Sequence, residues 1–251
     1  MISLKDKIVL ITGASSGIGA ACARKFAAKG AKVCLAARRE EKLRDLCGEL
    51  TESGSECHYL PADITDETQV RALFDSVTER FGVPQILVNN AGRGLHSELC
   101  SISLKEWESV MKTNVNGVFL CTREAVRRMI EKTVRGHIIT VSSIAGLFGA
   151  PGFSAYCASK HAVNGFYKSI KWELKKQKIK LSAIYPARVN TEFFDIYKKR
   201  PGRNQMLSPD DIADFIIAIS SRSFFMKLYV IILNVLKRMF YFLKFSFRRS
   251  K

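Results

Sequence analysis

Short apolar segments that alternate with helical ones are the feature that most limits the fold of this chain. Six runs rich in β-branched residues are each followed by a stretch with helical periodicity. This alternation predicts a parallel sheet with helices on both faces. The runs are apolar throughout, as strands buried on both faces should be. The predicted strands are Lys7–Thr12, Lys32–Ala36, Cys57–Leu60, Gln85–Asn89, His137–Ser142 and Lys180–Tyr185, and the predicted helices span about 17–29, 39–53, 66–81, 103–132, 154–177 and 208–221.

The composition agrees with a globular protein. Hydrophobic residues make up 47% of the 251 residues and charged residues 25%, which excludes a disordered, collagen-like or polytopic membrane chain. No internal repeat, low-complexity stretch or flexible linker interrupts the chain before about residue 187. Residues 1–221 are therefore predicted to form one doubly wound α/β domain, followed by a different segment over 222–251.

A glycine-rich turn joins the first predicted strand to the first predicted helix. Gly13 allows a tight turn, and Gly17 and Gly19 let a pyrophosphate and the strand approach the helix start. Free backbone N–H groups and the positive helix end favour an anion there. The turn opens a βαβ unit, which favours a dinucleotide site over a turn whose glycines serve packing alone. The expected contacts are Gly13, Ser15, Ser16, Gly17, Ile18 and Gly19.

Two arginines follow the second predicted strand, where an NAD-binding domain places a carboxylate for the ribose 2′-hydroxyl. Arg38 lies 19 residues beyond Gly19, and its guanidinium can pair with a 2′-phosphate. The alternative is that Arg38 and Arg39 are solvated residues at a helix start, but cations are poorly placed there. The sequence therefore favours NADP (NADPH) as cofactor.

Tyr156 and Lys160 lie four residues apart in a predicted helix, so they share one face. A phenol has a pKa near 10, and a nearby ammonium together with a cationic nicotinamide would lower it. A Tyr-x-x-x-Lys pair alone is common and usually structural. Ser143 adds a third polar group, because it follows the fifth strand at the carboxyl end of the sheet, where open α/β sheets bind ligands.

In combination these segments resemble the short-chain dehydrogenase/reductase family. The resemblance covers about residues 4–220 and implies a single Rossmann-like domain that transfers hydride between a nicotinamide and a carbonyl or alcohol. Its motifs here are Thr12–Gly19, Asn89-Asn90-Ala91-Gly92, Asn114, Ser143, Tyr156 and Lys160.

The resemblance also implies residue roles. Tyr156 protonates the carbonyl oxygen as hydride arrives, or removes the proton in the reverse direction. Lys160 holds the nicotinamide ribose and lowers the pKa of Tyr156, while Ser143 donates a hydrogen bond to the substrate oxygen. Asn114 supports a water-linked proton path behind Lys160. Further implied contacts are Asp63 with the adenine, Asn89 and Gly92 along the cofactor cleft, and Val189 and Thr191 with the nicotinamide amide and the phosphates.

Two positions complicate this comparison. Ser142 is the rival of Ser143; strand alternation lets only one of them face the cleft, and the family spacing selects Ser143. After the sixth strand, Ala187 stands where the family usually has glycine, so a positive φ would cost more there.

Residues 222–251 contain eight Lys or Arg and no Asp or Glu, within a chain of net charge +17. The pattern fits a strand over Leu228–Leu233 and a helix packed on the domain or on a second subunit. It equally fits a basic amphipathic helix over 227–251, whose polar residues fall within an arc of about 140°. The absence of acids favours an anionic membrane surface as partner. Nucleic acid is not expected, because no recognised binding fold accompanies the charge.

The spacing of the cysteines and histidines indicates the cellular compartment and whether a metal site is expected. The seven cysteines contain no C-x-x-C pair, which predicts buried free thiols in a reducing compartment. The four histidines show no ligand spacing, so no metal is expected. Without a signal peptide before the first strand, we expect a cytoplasmic protein that contacts a membrane, if at all, only peripherally.

The substrate pocket is expected from residues 93–101, 144–153 and 187–207. The first two segments carry few charges, which favours an apolar carbonyl compound or alcohol. The third contains a basic cluster that fits an acidic carrier protein or phosphopantetheine, as in related 3-oxoacyl carrier-protein reductases, and equally fits a solvated, mobile lid. The side chains available as lining are Leu95, Leu147, Phe148, Phe153, Phe193 and Phe194, and the basic cluster is Lys198, Lys199, Arg200 and Arg203.

Non-catalytic functions form the other class of alternative. The chain would then be a dinucleotide-binding regulator or a membrane-associated interaction protein acting through residues 222–251. The presence of Ser143, Tyr156 and Lys160 together argues against both. Family members usually pair through their two long helices, here about 103–132 and 154–177, so the resemblance implies a homodimer.

Overall fold

The structure, a computed structural model, describes residues 3–196 and 206–221. Its six strands form one parallel sheet in the order β3-β2-β1-β4-β5-β6. The order reverses between β1 and β4, so the carboxyl ends of these strands border a crevice. The predicted doubly wound, Rossmann-like α/β class is confirmed. The strands are β1 (Ile8–Thr12), β2 (Lys32–Ala37), β3 (Cys57–Pro61), β4 (Ile86–Asn89), β5 (His137–Val141) and β6 (Lys180–Ile184).

Helices cover both faces of the sheet. Side chains of α1, α2 and α7 belong to one buried cluster, and those of α3, α5 and α6 to a second cluster on the opposite face. The helices are α1 (Gly17–Ala27), α2 (Glu40–Glu52), α3 (Glu67–Phe81), α4 (Leu104–Met111), α5 (Gly117–Glu131), α6 (Ser154–Lys175) and α7 (Pro209–Ser221).

Strand β1 shows how the sequence produces this packing. All five of its residues are buried. Val9 and Ile11 point into the first cluster, whereas Ile8 and Leu10 point into the second, as the two-residue period of a strand requires. Burying a Leu, Ile or Val side chain contributes roughly 1.5–3 kcal/mol. The sheet is therefore a firm base for the loops at its carboxyl edge.

The predicted helix over 103–132 is interrupted in the structure. A π-helical turn, Lys112–Asn116, separates α4 from α5. The inserted residue shifts the helical phase, but only the eight residues of α4 precede it, too short an apolar pattern for the sequence to reveal the shift. Gly117 begins α5 against Ile64, since a Cβ at this glycine would lie 2.5 Å from the Ile64 Cδ1. The wide turn thus brings α5 close to the loop after β3.

The cysteines are free, and five of the seven are buried as predicted, whereas Cys57 is half-buried and Cys100 is exposed. Burial raises the pKa of Cys22 and Cys121 to about 12. Within residues 3–196 and 206–221, no helix is both long and apolar enough to cross a membrane. The predicted extension over 222–251 and the basic cluster at 198–203 lie outside the described residues. The domain boundary at 221 stays a prediction.

Candidate active site

A cleft of about 990 Å³ lies at the carboxyl edge of the sheet. Segments that follow all six strands contribute to its lining. Its volume is at the upper end of the ~300–1,000 Å³ typical of ligand pockets. The location is the one that a doubly wound sheet offers for an extended ligand.

The glycine-rich turn forms one wall of this cleft. Gly13 and Gly17 have φ of +64° and +55°, a backbone conformation that glycine adopts without steric cost. A Cβ at Gly17 would lie 2.9 Å from the Thr191 Cγ2. The side chain of the N-cap residue, Ser16, makes no capping hydrogen bond to the start of α1, and the first turn of this helix carries no acid. The N–H groups at the positive end of α1 are thus suited to an anionic group.

Most of the predicted cofactor contacts do line the cleft. Two do not: Gly19 packs against the turn itself, and Asn89 is 2% exposed, with its amide donating to Thr122 Oγ1 at 2.9 Å. Asn90, the next residue, lines the cleft instead, because neighbouring residues of a strand end point in opposite directions. The lining residues among those predicted are Gly13, Ser15, Ser16, Gly17, Ile18, Arg38, Asp63, Gly92, Lys160, Val189 and Thr191.

Asn90 holds the turn closed. Its Nδ2 donates to the carbonyl oxygens of Thr12 at 3.0 Å and Gly13 at 3.1 Å. Asn90 belongs to the motif Asn89–Gly92, but no contact was predicted for it. A polar residue directly after a buried strand was the available signal.

Both arginines after β2 lie at the cleft and are exposed. The Arg39 guanidinium donates to Ser15 Oγ at 2.8 Å and to Ser16 Oγ at 2.7 Å. Arg39 therefore connects the end of β2 to the glycine-rich turn. Arg38 was the predicted contact here, and Arg39 is a second cation at the same end of the cleft.

Tyr156 and Lys160 project into the cleft from the first two turns of α6. They are 9% and 4% exposed, and the Lys160 Nζ lies 5.6 Å from the centre of the Tyr156 ring. Lys160 donates to the carbonyl oxygen of Val141 at 3.1 Å. Burial lowers the pKa of Lys160 to about 8. The amine therefore remains mostly protonated at neutral pH.

Ser142 and Ser143 follow β5 and have different surroundings. The Ser142 hydroxyl is buried and donates to Asn164 Oδ1 at 2.9 Å. Ser143 is half-buried in the cleft, where its Oγ accepts from the backbone N–H of Ala145 at 3.1 Å. Its hydroxyl proton can thus still be donated to a ligand.

Asn114 lies in the π-helical turn, fully buried behind the cleft rather than in its lining. Its Oδ1 accepts from the backbone N–H of Arg93 at 2.7 Å, and its Nδ2 donates to Ser159 Oγ at 2.9 Å. The Ser159 hydroxyl in turn donates to the carbonyl oxygen of Tyr156 at 2.7 Å. Asn114 therefore links the loop after β4 to the helical turn that carries Tyr156. Ser159 was not identified from the sequence, where it carries no distinguishing pattern.

The segment after β6 closes the remaining side. Ala187 has no positive φ, so its side chain causes no backbone strain. Val189 is buried and pairs with Leu207. Phe193, two residues after Thr191, places its ring 5.2 Å from that of Tyr156. Of the predicted substrate-pocket aromatics, Phe153 also lies beside Tyr156, at 6.2 Å.

Residues 7–201 match the model of the short chain dehydrogenase family. The chain belongs to this family. This short-chain dehydrogenase is 33% identical over 217 residues to an uncharacterized oxidoreductase of Staphylococcus aureus, covering 86% of this chain and 92% of the relative. It is 37% identical over 187 residues to a 3beta-hydroxysteroid dehydrogenase of Mediterraneibacter gnavus, covering 74% and 67%.

A solved structure agrees with this assignment. The 3-ketoacyl-(acyl-carrier-protein) reductase from Brucella melitensis, complexed with NADH, superposes with a TM-score of 0.79 at 31% identity. The match covers 86% of this chain and 90% of that one. This short-chain dehydrogenase is therefore an oxidoreductase with the family's fold, as the motifs implied.

Proposed function

We propose that this short-chain dehydrogenase is an NADP(H)-dependent enzyme that interconverts a carbonyl and a secondary alcohol on an apolar substrate. The observation that carries the proposal is one cleft shared by the glycine-rich turn, two arginines and the group Ser143, Tyr156 and Lys160. NADPH, when bound, supplies the hydride.

The residues present fit this cofactor. The uncapped start of α1 suits the pyrophosphate, and Gly17 leaves room where a Cβ would collide. Arg38 and Arg39 offer guanidinium groups to the 2′-phosphate. No acid stands at the end of β2, which reads Ala36-Ala37, so nothing there selects a free 2′-hydroxyl. The Brucella reductase carries NADH, so the choice of NADP rests on these arginines.

Tyr156 is the proposed proton donor and acceptor. The protonated Lys160 amine near its ring favours the phenolate. So does its place in the first turn of α6, at the positive end of a 22-residue helix. Once Tyr156 has given its proton to the substrate oxygen, this field stabilises the phenolate that remains. In the reverse direction the same field lets Tyr156 accept a proton from the alcohol.

Ser143 and Asn114 have supporting roles in this proposal. The Ser143 hydroxyl donates to the substrate oxygen and holds the carbonyl beside Tyr156. Asn114 keeps the loop after β4 and the helical turn of Tyr156 in a fixed relation, through Arg93 and Ser159. The proposed role of Asn114 also includes support for a water-linked proton path behind Lys160.

The rings around Tyr156 support an apolar substrate. Phe153 and Phe193 flank it, and the neighbouring loop after β5 exposes Leu147 and Phe148. The 3beta-hydroxysteroid dehydrogenase relative fits a substrate of this kind. The second candidate is a 3-oxoacyl carrier-protein reductase, which the Brucella reductase favours.

Exposed apolar side chains on α4, α5 and α6 support a homodimer. Leu104, Phe119 and Trp172 are 72%, 41% and 69% exposed, and a second copy would bury them. A membrane partner for residues 222–251 stays a prediction.

A carbonyl panel with NADPH tests the activity. Purified protein should change NADPH fluorescence on binding and oxidise NADPH with an apolar ketone or aldehyde. Tyr156→Phe should keep cofactor binding and lose at least about 100-fold in kcat, because the proton donor is gone. Binding without turnover on any carbonyl would instead favour a non-catalytic regulator. No binding of either NADPH or NADH would refute the proposed function altogether.

A further inference from the structure

Glu192 reaches from the segment after β6 to the cations that follow β2. Its Oε2 accepts from Arg39 Nη1 at 2.7 Å, and its Oε1 accepts from Lys42 Nζ at 2.8 Å. Both carboxylate oxygens are thus used by cations of one short stretch of chain. These ion pairs join two segments 150 or more positions apart in sequence.

The same guanidinium also holds the glycine-rich turn. Arg39 donates through Nε and Nη2 to Ser15 Oγ, at 3.1 and 2.8 Å, and through Nη2 to Ser16 Oγ at 2.7 Å. Arg39 is therefore surrounded by one anion and two hydroxyls. A phosphate monoester at the position of the Glu192 carboxylate would accept hydrogen bonds from the same Arg39 and Lys42 groups.

Glu192 is ionised throughout the working pH range. Hydrogen bonds from Lys42, and next from Arg39, lower the pKa of its carboxyl to about 2. The carboxylate therefore neutralises part of the positive charge of Arg39 and Lys42 at any physiological pH.

We propose that Glu192 is a specificity-determining residue that competes with the cofactor's 2′-phosphate for Arg39 and Lys42. The inference rests on the proposed function, since it requires a dinucleotide in this cleft. A phosphate that binds these cations either exchanges with the carboxylate or lies beside a like charge, and both weaken its binding. A dinucleotide with a free 2′-hydroxyl needs no such exchange. Glu192 therefore weakens NADPH more than NADH and makes the preference for NADPH smaller than these cations alone would give.

Direct binding measures this effect without turnover. Wild type, Glu192→Gln and Glu52→Gln are titrated with NADPH and with NADH, following nicotinamide fluorescence. Glu52 is an exposed carboxylate at the end of α2, so its variant has the same change in net charge. We expect Glu192→Gln to raise the ratio of NADPH to NADH affinity about three- to tenfold, as the loss of two exposed ion pairs allows. Glu52→Gln should leave the ratio within about twofold.

Repeating the substitution in a variant that lacks Arg39 tests whether Arg39 is the group for which Glu192 and the phosphate compete. In Arg39→Gln, which lacks the shared guanidinium, the gain from Glu192→Gln should shrink, because coupled residues give non-additive effects. An unchanged ratio in Glu192→Gln, or equal gains for NADPH and NADH, would overturn the inference while leaving the proposed function intact. A wild type that binds neither dinucleotide would refute the proposed function, and the inference with it.

Discussion

Gly19 offers a direct test of how tightly α1 is seated on the turn that precedes it. A Cβ at this position would lie 2.3 Å from the carbonyl oxygen of Gly13 and 2.9 Å from the Cα of Ala14. Both are backbone atoms, which cannot rotate away as a flexible side chain can. Gly19→Ala must therefore push α1 from its position, and overpacking of this kind costs about 1–3 kcal/mol.

Gly48→Ala is the matched control. Gly48 lies in α2, and a Cβ there would meet nothing within 4 Å. Both substitutions gain the helix propensity of alanine, about 1 kcal/mol, so their difference isolates the steric overlap. Urea unfolding should show Gly48→Ala as the more stable variant by about 1–3 kcal/mol.

Cofactor binding gives the second readout of the same experiment. Displacing the start of α1 moves the N–H groups that face the cleft, so Gly19→Ala should also bind NADPH more weakly than Gly48→Ala. Equal stability and equal NADPH affinity in the two variants would show that α1 is not held against the turn as the structure describes.

Two further outcomes follow from the site. Because burial lowers the pKa of Lys160 to about 8 from its ordinary 10.5, the folded chain binds fewer protons than the unfolded chain between these pH values. The free energy of unfolding of wild type should therefore rise from pH 8 to 10.5, relative to Lys160→Met, by on the order of 3 kcal/mol; a constant difference in urea titrations over this range would contradict it. Ser143→Ala should lower kcat about 100-fold in the carbonyl assay, whereas Ser142→Ala, which loses only the bond to Asn164, should stay near wild type in kcat; the reverse result would exchange the roles of the two serines.

Much of the fold could be predicted because its signals are local. The glycine-rich turn lies between β1 and α1, and the apolar runs coincide with the six strands to within two residues at either end. Lys160 and Tyr156 share one face of a helix because they lie four residues apart, which depends on no distant contact. Their joint placement in one cleft follows from parallel strands, whose carboxyl ends meet at one edge.

The parts that could not be predicted depend on contacts between distant segments. Nothing near Glu192 in the sequence indicates that its carboxylate meets Arg39 and Lys42. The opposite directions of Asn89 and Asn90 depend on where β4 ends, and strand ends are the least certain feature of a pattern. Contacts and directions of this kind are set by the tertiary structure and leave no local pattern in the sequence.

The wide turn between α4 and α5 has a consequence for the whole molecule. A residue in an α-helix corresponds to about 100° of rotation, and a π-helical turn amounts to one residue inserted into a regular helix. Deleting one residue from Lys112–Asn116 would therefore rotate α4 relative to α5 by over a quarter of a revolution. The same single insertion sets the direction of the buried Asn114 amide behind the cleft and of the apolar face of α5 that carries Phe119. Neither direction can therefore change without the other.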